Sequence, residues 1–173
     1  MGQKVNPKSM RLKINESWKS TWFEGKNYAS QLISDIKLHD KIMKDLKSAA
    51  ISDVIIGRDA NLISVTIYSA RPGVIIGRGG AGSEKIKEMV EKATGSKARV
   101  NIIELKRPET NAAYVAQNVA FQLEKRMPFR RAMKQAAEKA VEAGVKGIKV
   151  QVAGRLNGAD IARVEKVISG TVP

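Results

Sequence analysis

A chain that runs Val74-Ile75-Ile76-Gly77-Arg78-Gly79-Gly80 has few ways to fold at that point. Three apolar residues feed a turn made of glycines around one arginine, and a helical pattern starts just beyond it. Glycine accepts backbone angles that other residues avoid, and it lets main chain approach a ligand that a side chain would obstruct. A helix that opens immediately after such a turn also offers unpaired amides to an anion. The segment therefore reads as a tight, basic turn, with Gly77, Arg78, Gly79 and Gly80 as candidate phosphate-binding residues.

The charge of the chain suggests what the anion is. Among 173 residues, 31 Lys and Arg outnumber 17 Asp and Glu, for a net +14. The excess is spread over residues 1–37 (+4), 38–110 (+4) and 111–173 (+6), so no single tail carries it. That distribution favours a polyanion met on several sides, with nucleic acid ahead of an anionic membrane surface. The chain has no cysteine, which excludes disulfides and thiolate metal sites. It opens Met1-Gly2-Gln3-Lys4 without an apolar signal core, no apolar run approaches the roughly 20 residues of a membrane span, and Asn6 fails the myristoylation pattern. We therefore expect a cytoplasmic protein with no membrane partner.

Periodicity places the elements. Residues 1–30 carry Pro7, Gly25, Trp18, Trp22, Phe23 and Tyr28 without a regular pattern, and read as an arm whose aromatics anchor it to a core rather than stack on bases. Leu38, Ile42 and Leu46 mark an amphipathic helix over 36–48, on which the lone His39 is a surface residue rather than a ligand or base. Val54-Ile55-Ile56 and the alternating Ile63, Val65, Ile67 read as a hairpin turned by Asp59-Ala60-Asn61. After the glycine turn, Ile86, Met89, Val90 and Ala93 trace one helical face that stops at Gly95, and a strand follows through Val100 and Ile102 to the basic pair Lys106 and Arg107.

Two motifs compete for the turn. Gly77 to Gly82 satisfies G-x-G-x-x-G, and Glu104 lies 22 residues further on, where a dinucleotide fold would place its ribose-binding acid. The context is wrong, since only three apolar residues separate Pro72-Gly73 from the motif and the parallel strand pairs of that fold are missing. A P-loop fails because Ser83 stands where lysine is required. The other reading is a GxxG clamp on a nucleotide backbone, and the order helix, hairpin, apolar run, GxxG, helix, strand resembles the type II KH arrangement.

Beyond Pro108 a second unit begins, its first helix capped by Thr110 and carrying Val115, Val119 and Leu123 as far as Met127-Pro128. The next helix turns Phe129, Met133, Ala136, Ala137, Ala140 and Val141 inward, a strand carries Ile148, Val150 and Val152, and a short last helix spans about 159–168. One strand with three helices makes an unfinished sheet, so we expect the chain to stop short of the domain's end. On the second helix Arg130, Arg131 and Lys134 share the flank away from the apolar face, and with Lys125 and Arg126 they place five basic residues within ten and no acid among them. A merely solvated face would mix in acids.

Taken together, the Met1–Pro7 opening with Arg11-Leu12, Trp18 with Trp22-Phe23, the glycine turn, Phe129-Arg130-Arg131-Ala132-Met133-Lys134, and Gly147–Val150 leading to Gly154-Arg155-Leu156 and Ile161-Ala162-Arg163 resemble the bacterial-type family of small-subunit ribosomal protein three. The resemblance runs over the whole chain. It implies an α+β protein with an arm at 1–38, a type II KH domain at 39–107 and a truncated α/β domain at 108–173. It further implies a non-enzymatic constituent of the small-subunit head, without cofactor or metal, that binds rRNA and adjoins ribosomal proteins ten and fourteen. In that family the cluster matching Arg130, Arg131 and Lys134 faces incoming mRNA and helps to unwind it. Lys106, Arg107, Lys125 and Arg126 would support RNA binding. The chain departs from the family pattern at Asn157, where glycine is common, across Val164–Ile168, and at Thr171.

Overall fold

A computed structural model describes residue 3 and residues 5–59 and 62–172; the Ala60-Asn61 part of the expected hairpin turn lies outside them. Among the described residues six α-helices and six strands follow one another: α1 (Pro7–Arg11), β1 (Ser20–Thr21), α2 (Tyr28–Asp45), β2 (Ile51–Arg58), β3 (Leu62–Ser69), α3 (Pro72–Ile76), α4 (Ala81–Thr94), β4 (Lys97–Glu104), α5 (Ala112–Glu124), α6 (Phe129–Glu142), β5 (Gly147–Gly154) and β6 (Arg163–Gly170).

The first sheet has the order β1-β2-β3-β4. β2 and β3 form the expected antiparallel hairpin, β4 joins β3 in parallel, and the short β1 lies parallel to β2. A bulge between Ile51 and Asp53 shifts the alternation, so Ile51, Val54 and Ile56 share the buried side. β3 buries Ile63, Val65, Ile67 and Ser69, and the hydroxyl of Ser69 donates to the Ala49 carbonyl at 2.7 Å while accepting the Arg71 amide at 2.9 Å. Leu38 and Ile42 of α2, Ile75 of α3 and Ile86 and Val90 of α4 complete this core.

α2 begins at Tyr28, eight residues before the expected start at Ile36. The apolar period is broken because its inward position is a carboxylate. Asp35 is buried, accepts from Arg58 Nε at 2.8 Å and takes Trp22 Nε1–H at 2.7 Å, so ion pairing and hydrogen bonding replace burial of an alkyl group there. The same contact divides the aromatics of the arm. Trp22 is fastened down and meets the Tyr28 ring at 5.2 Å, whereas Trp18 and Phe23 are exposed.

The second unit corrects the sequence reading more strongly. Residues 163–168, expected as the end of a helix over about 159–168, lie instead in β6, which pairs antiparallel to β5 over eight positions from Gly147↔Gly170 to Gly154↔Arg163. This unit therefore has two strands and two long helices. Its core joins Val119, Phe129, Met133, Ala136, Val150 and Leu156. Val141 is exposed, against expectation, because it lies one residue past the buried Ala140 and so turns about 100° from it. Asn111, not Thr110, caps α5: its Oδ1 accepts from the amides of Ala113 and Tyr114, while the Thr110 hydroxyl bonds the Arg107 carbonyl in the preceding turn. Gln117 of α5 donates from Nε2 to the Ile51 carbonyl at 2.7 Å, tying this unit to β2.

Candidate nucleic-acid interface

The glycine turn connects two helices, α3 and α4, within the crossover from β3 to β4. Val74-Ile75-Ile76 is thus helix rather than the strand a dinucleotide site would need. Gly77, Gly79 and Gly80 all have positive φ, from 63° to 84°, which L-residues with a side chain adopt at a cost. Gly82, one turn later, is required for closeness instead, since a Cβ there would overlap the Ile75 carbonyl oxygen. These constraints make a turn whose backbone is bare and whose only long side chain, Arg78, is exposed. No side chain caps α4; Ser83 Oγ instead donates to the Gly80 carbonyl at 2.7 Å, and the first-turn amides lie beside the turn.

The second basic group lies on α6. Arg130, Arg131 and Lys134 are exposed, while Phe129, Ala132, Met133, Ala136, Ala137 and Ala140 bury the opposite face. The acid-free run seen in the sequence is not acid-free in space. Arg130 Nε lies 3.4 Å from Glu165 Oε2 on β6, and Lys134 Nζ lies 3.8 Å from Glu138 one turn along. Arg131 makes no ion pair among the described residues. Arg163, absent from the sequence-based candidates, joins the group from β6, its Nε 3.3 Å from Glu165 Oε1. Its position next to α6 depends on the β5–β6 pairing, so only a correct strand assignment would have found it.

The supporting residues are dispersed. Lys125 and Arg126 form the link between α5 and α6, where Lys125 Nζ lies 4.3 Å from the centre of the Phe121 ring and Arg126 has φ +61°. Lys106 and Arg107 are exposed just after β4. His39 Nδ1 lies 3.5 Å from Asp40 on α2, and among the described residues no group of three His, Cys, Asp or Glu is placed to hold a metal. No helix among them is long and apolar enough to cross a membrane.

A β-α-α-β crossover with a bare GxxG turn, backed by an antiparallel strand and a leading helix, defines an RNA-binding KH domain. The comparisons agree in detail. The KH domain profile matches residues 37–110, and that of the ribosomal protein S3 C-terminal domain matches residues 119–173. Small ribosomal subunit protein uS3 of Pediococcus pentosaceus is 46% identical over all 173 residues, which cover 78% of that protein. The uS3 proteins of Sphingopyxis alaskensis and Bacillus anthracis are each 49% identical across the whole chain, which covers 74% and 79% of them. The chain belongs to the uS3 family of small ribosomal subunit proteins, and is a structural, non-enzymatic protein of the ribosome.

Proposed function

We propose that this chain binds rRNA in the head of the cytoplasmic small subunit through its KH unit, residues 39–107, with Gly77, Arg78, Gly79 and Gly80 as the backbone clamp. The unit at 108–173 turns Arg130, Arg131 and Lys134 toward mRNA where it enters the subunit, positioning the message and helping to open its paired regions. Lys106, Arg107, Lys125 and Arg126 add sequence-independent attraction for phosphate. The arm at 1–38 packs the KH unit, and ribosomal proteins ten and fourteen are its neighbours. The observation that carries this reading is the division of α6, with three cations on its solvent side and a continuous apolar face beneath. Cations on a fixed helix hold a single strand without reading its bases, which suits a surface that every message must pass.

The test is charge reversal of Arg130, Arg131 and Lys134 to glutamate in reconstituted small subunits. Incorporation of the protein should stay near normal, while mRNA engagement falls by at least about tenfold at moderate salt. Equal loss of both would remove the separate mRNA surface.

A further inference from the structure

Glu165 sits between guanidinium groups from two elements. Its Oε2 faces Arg130 Nε at 3.4 Å from the first turn of α6, and its Oε1 faces Arg163 Nε at 3.3 Å from β6 itself. Both arginines also lie beside one aromatic ring, with Cζ 5.7 Å and 5.9 Å from the centre of Phe129. That ring is buried and so is a fixed floor, whereas the Arg130 and Arg163 side chains are 75% and 49% exposed. One carboxylate against two guanidiniums leaves a positive charge over, and both ion pairs are open to water, where such pairs are held weakly. Two planar donor forks converging on one anion also match the geometry of a phosphodiester, which carries one negative charge spread over two oxygens, as a carboxylate does.

We propose that Arg130 and Arg163 form a phosphate-binding site for RNA, that Glu165 fills it in the free protein, and that an RNA phosphodiester displaces this carboxylate on binding. The proposal rests on α6 being an RNA-facing surface, and it extends that surface onto β6. Glu165 then has two effects. It keeps two arginines, 33 residues apart in the chain, converged in the absence of RNA, and it opposes every anion that binds there. RNA gains from the first and must overcome the second, so the carboxylate sets the threshold at which the strand is held.

The experiment measures binding of the full chain to a labelled oligouridylate of about twelve nucleotides as a function of salt. Arg130→Gln and Arg163→Gln should each weaken binding and lower the log–log salt slope by about 0.7, the share of one phosphate. Because both arginines serve the same phosphate, the double variant should lose about 0.7 and not twice that. Arg163→Lys should retain the slope. Glu165→Gln should tighten binding about fivefold, and this gain should vanish when both arginines are glutamine. Glu142→Gln, the same charge change at the far end of α6, should alter affinity by less than about twofold. The proposal fails if Glu165→Gln does no more than Glu142→Gln, or if Arg163→Gln leaves the slope intact. Should Arg131→Gln and Lys134→Gln, which lie outside the pair, also bind like the parent chain, the RNA-facing reading of α6 falls too.

Discussion

The two units close their sheets in different ways. In the first, β2 and β3 lie inside a four-stranded sheet, and Ile42, Val65, Ile67 and Val90 have no exposed surface at all. In the second, β5 and β6 form a two-stranded ladder whose most buried strand residue, Val150, retains 9% exposure, while Val164 and Ile168 keep 58% and 54% on the far side. A lone two-stranded ladder is marginal in water. The first sheet is covered by apolar residues of three helices, Leu38 and Ile42 of α2, Ile75 of α3 and Ile86 and Val90 of α4, whereas the second ladder leans mainly on α6, which buries Phe129, Ala132, Met133, Ala136, Ala137 and Ala140. The helix that carries Arg130, Arg131 and Lys134 is thus also the support of its unit, and the basic face cannot shift without disturbing the core below it.

This contrast can be tested by truncation. Ile67→Ala should cost about 4 kcal/mol in urea unfolding followed by far-UV circular dichroism, since a fully enclosed site cannot collapse around the missing atoms. Val167→Ala on the inner side of β6, which is only half-buried, should cost about 1 kcal/mol; a cost equal to that of Ile67→Ala would erase the distinction between the units. An effect between these two belongs to the ion pair that replaces hydrocarbon in α2. Asp35→Ala strands Arg58 and the Trp22 N–H, and should lower stability by about 2–3 kcal/mol. The half-exposed pair Lys19–Asp53, at 2.8 Å, should give less than about 1 kcal/mol when Asp53 becomes alanine. Smallest of all, Ile168→Thr on the outer side of the ladder should move the urea midpoint by no more than about 0.5 kcal/mol equivalent, because its side chain leaves no cavity behind.

What was legible in the sequence is what local chemistry decides. The hairpin followed from alternation in Ile63, Val65 and Ile67, and the tight turn from glycines whose positive φ the fold does use. Asn157, noted as a departure from glycine, has φ +56°, a conformation asparagine tolerates better than most residues. The two largest failures share a cause, a distant partner overriding a local pattern. Val164, Val167 and Ile168 are spaced i, i+3, i+4, as on a helix, yet pairing with β5 made them strand. The start of α2 was hidden because the residue facing inward is Asp35, acceptable there only through Arg58 on β2. Within the basic site the α6 cations were visible from helical geometry, but Glu165 and Arg163 reach Arg130 only through the tertiary fold.

The fastening of Trp22 to Asp35 has an optical consequence. Both tryptophans of the chain, Trp18 and Trp22, lie in the segment before α2, and neither sits in either core. Intrinsic indole emission will therefore report on the attachment of that segment, including the docking of β1 on the edge of the first sheet, and not on the β5–β6 ladder. An emission change at low urea with the far-ultraviolet spectrum intact would mark the segment detaching from a body that is still folded, and its midpoint would measure that attachment alone.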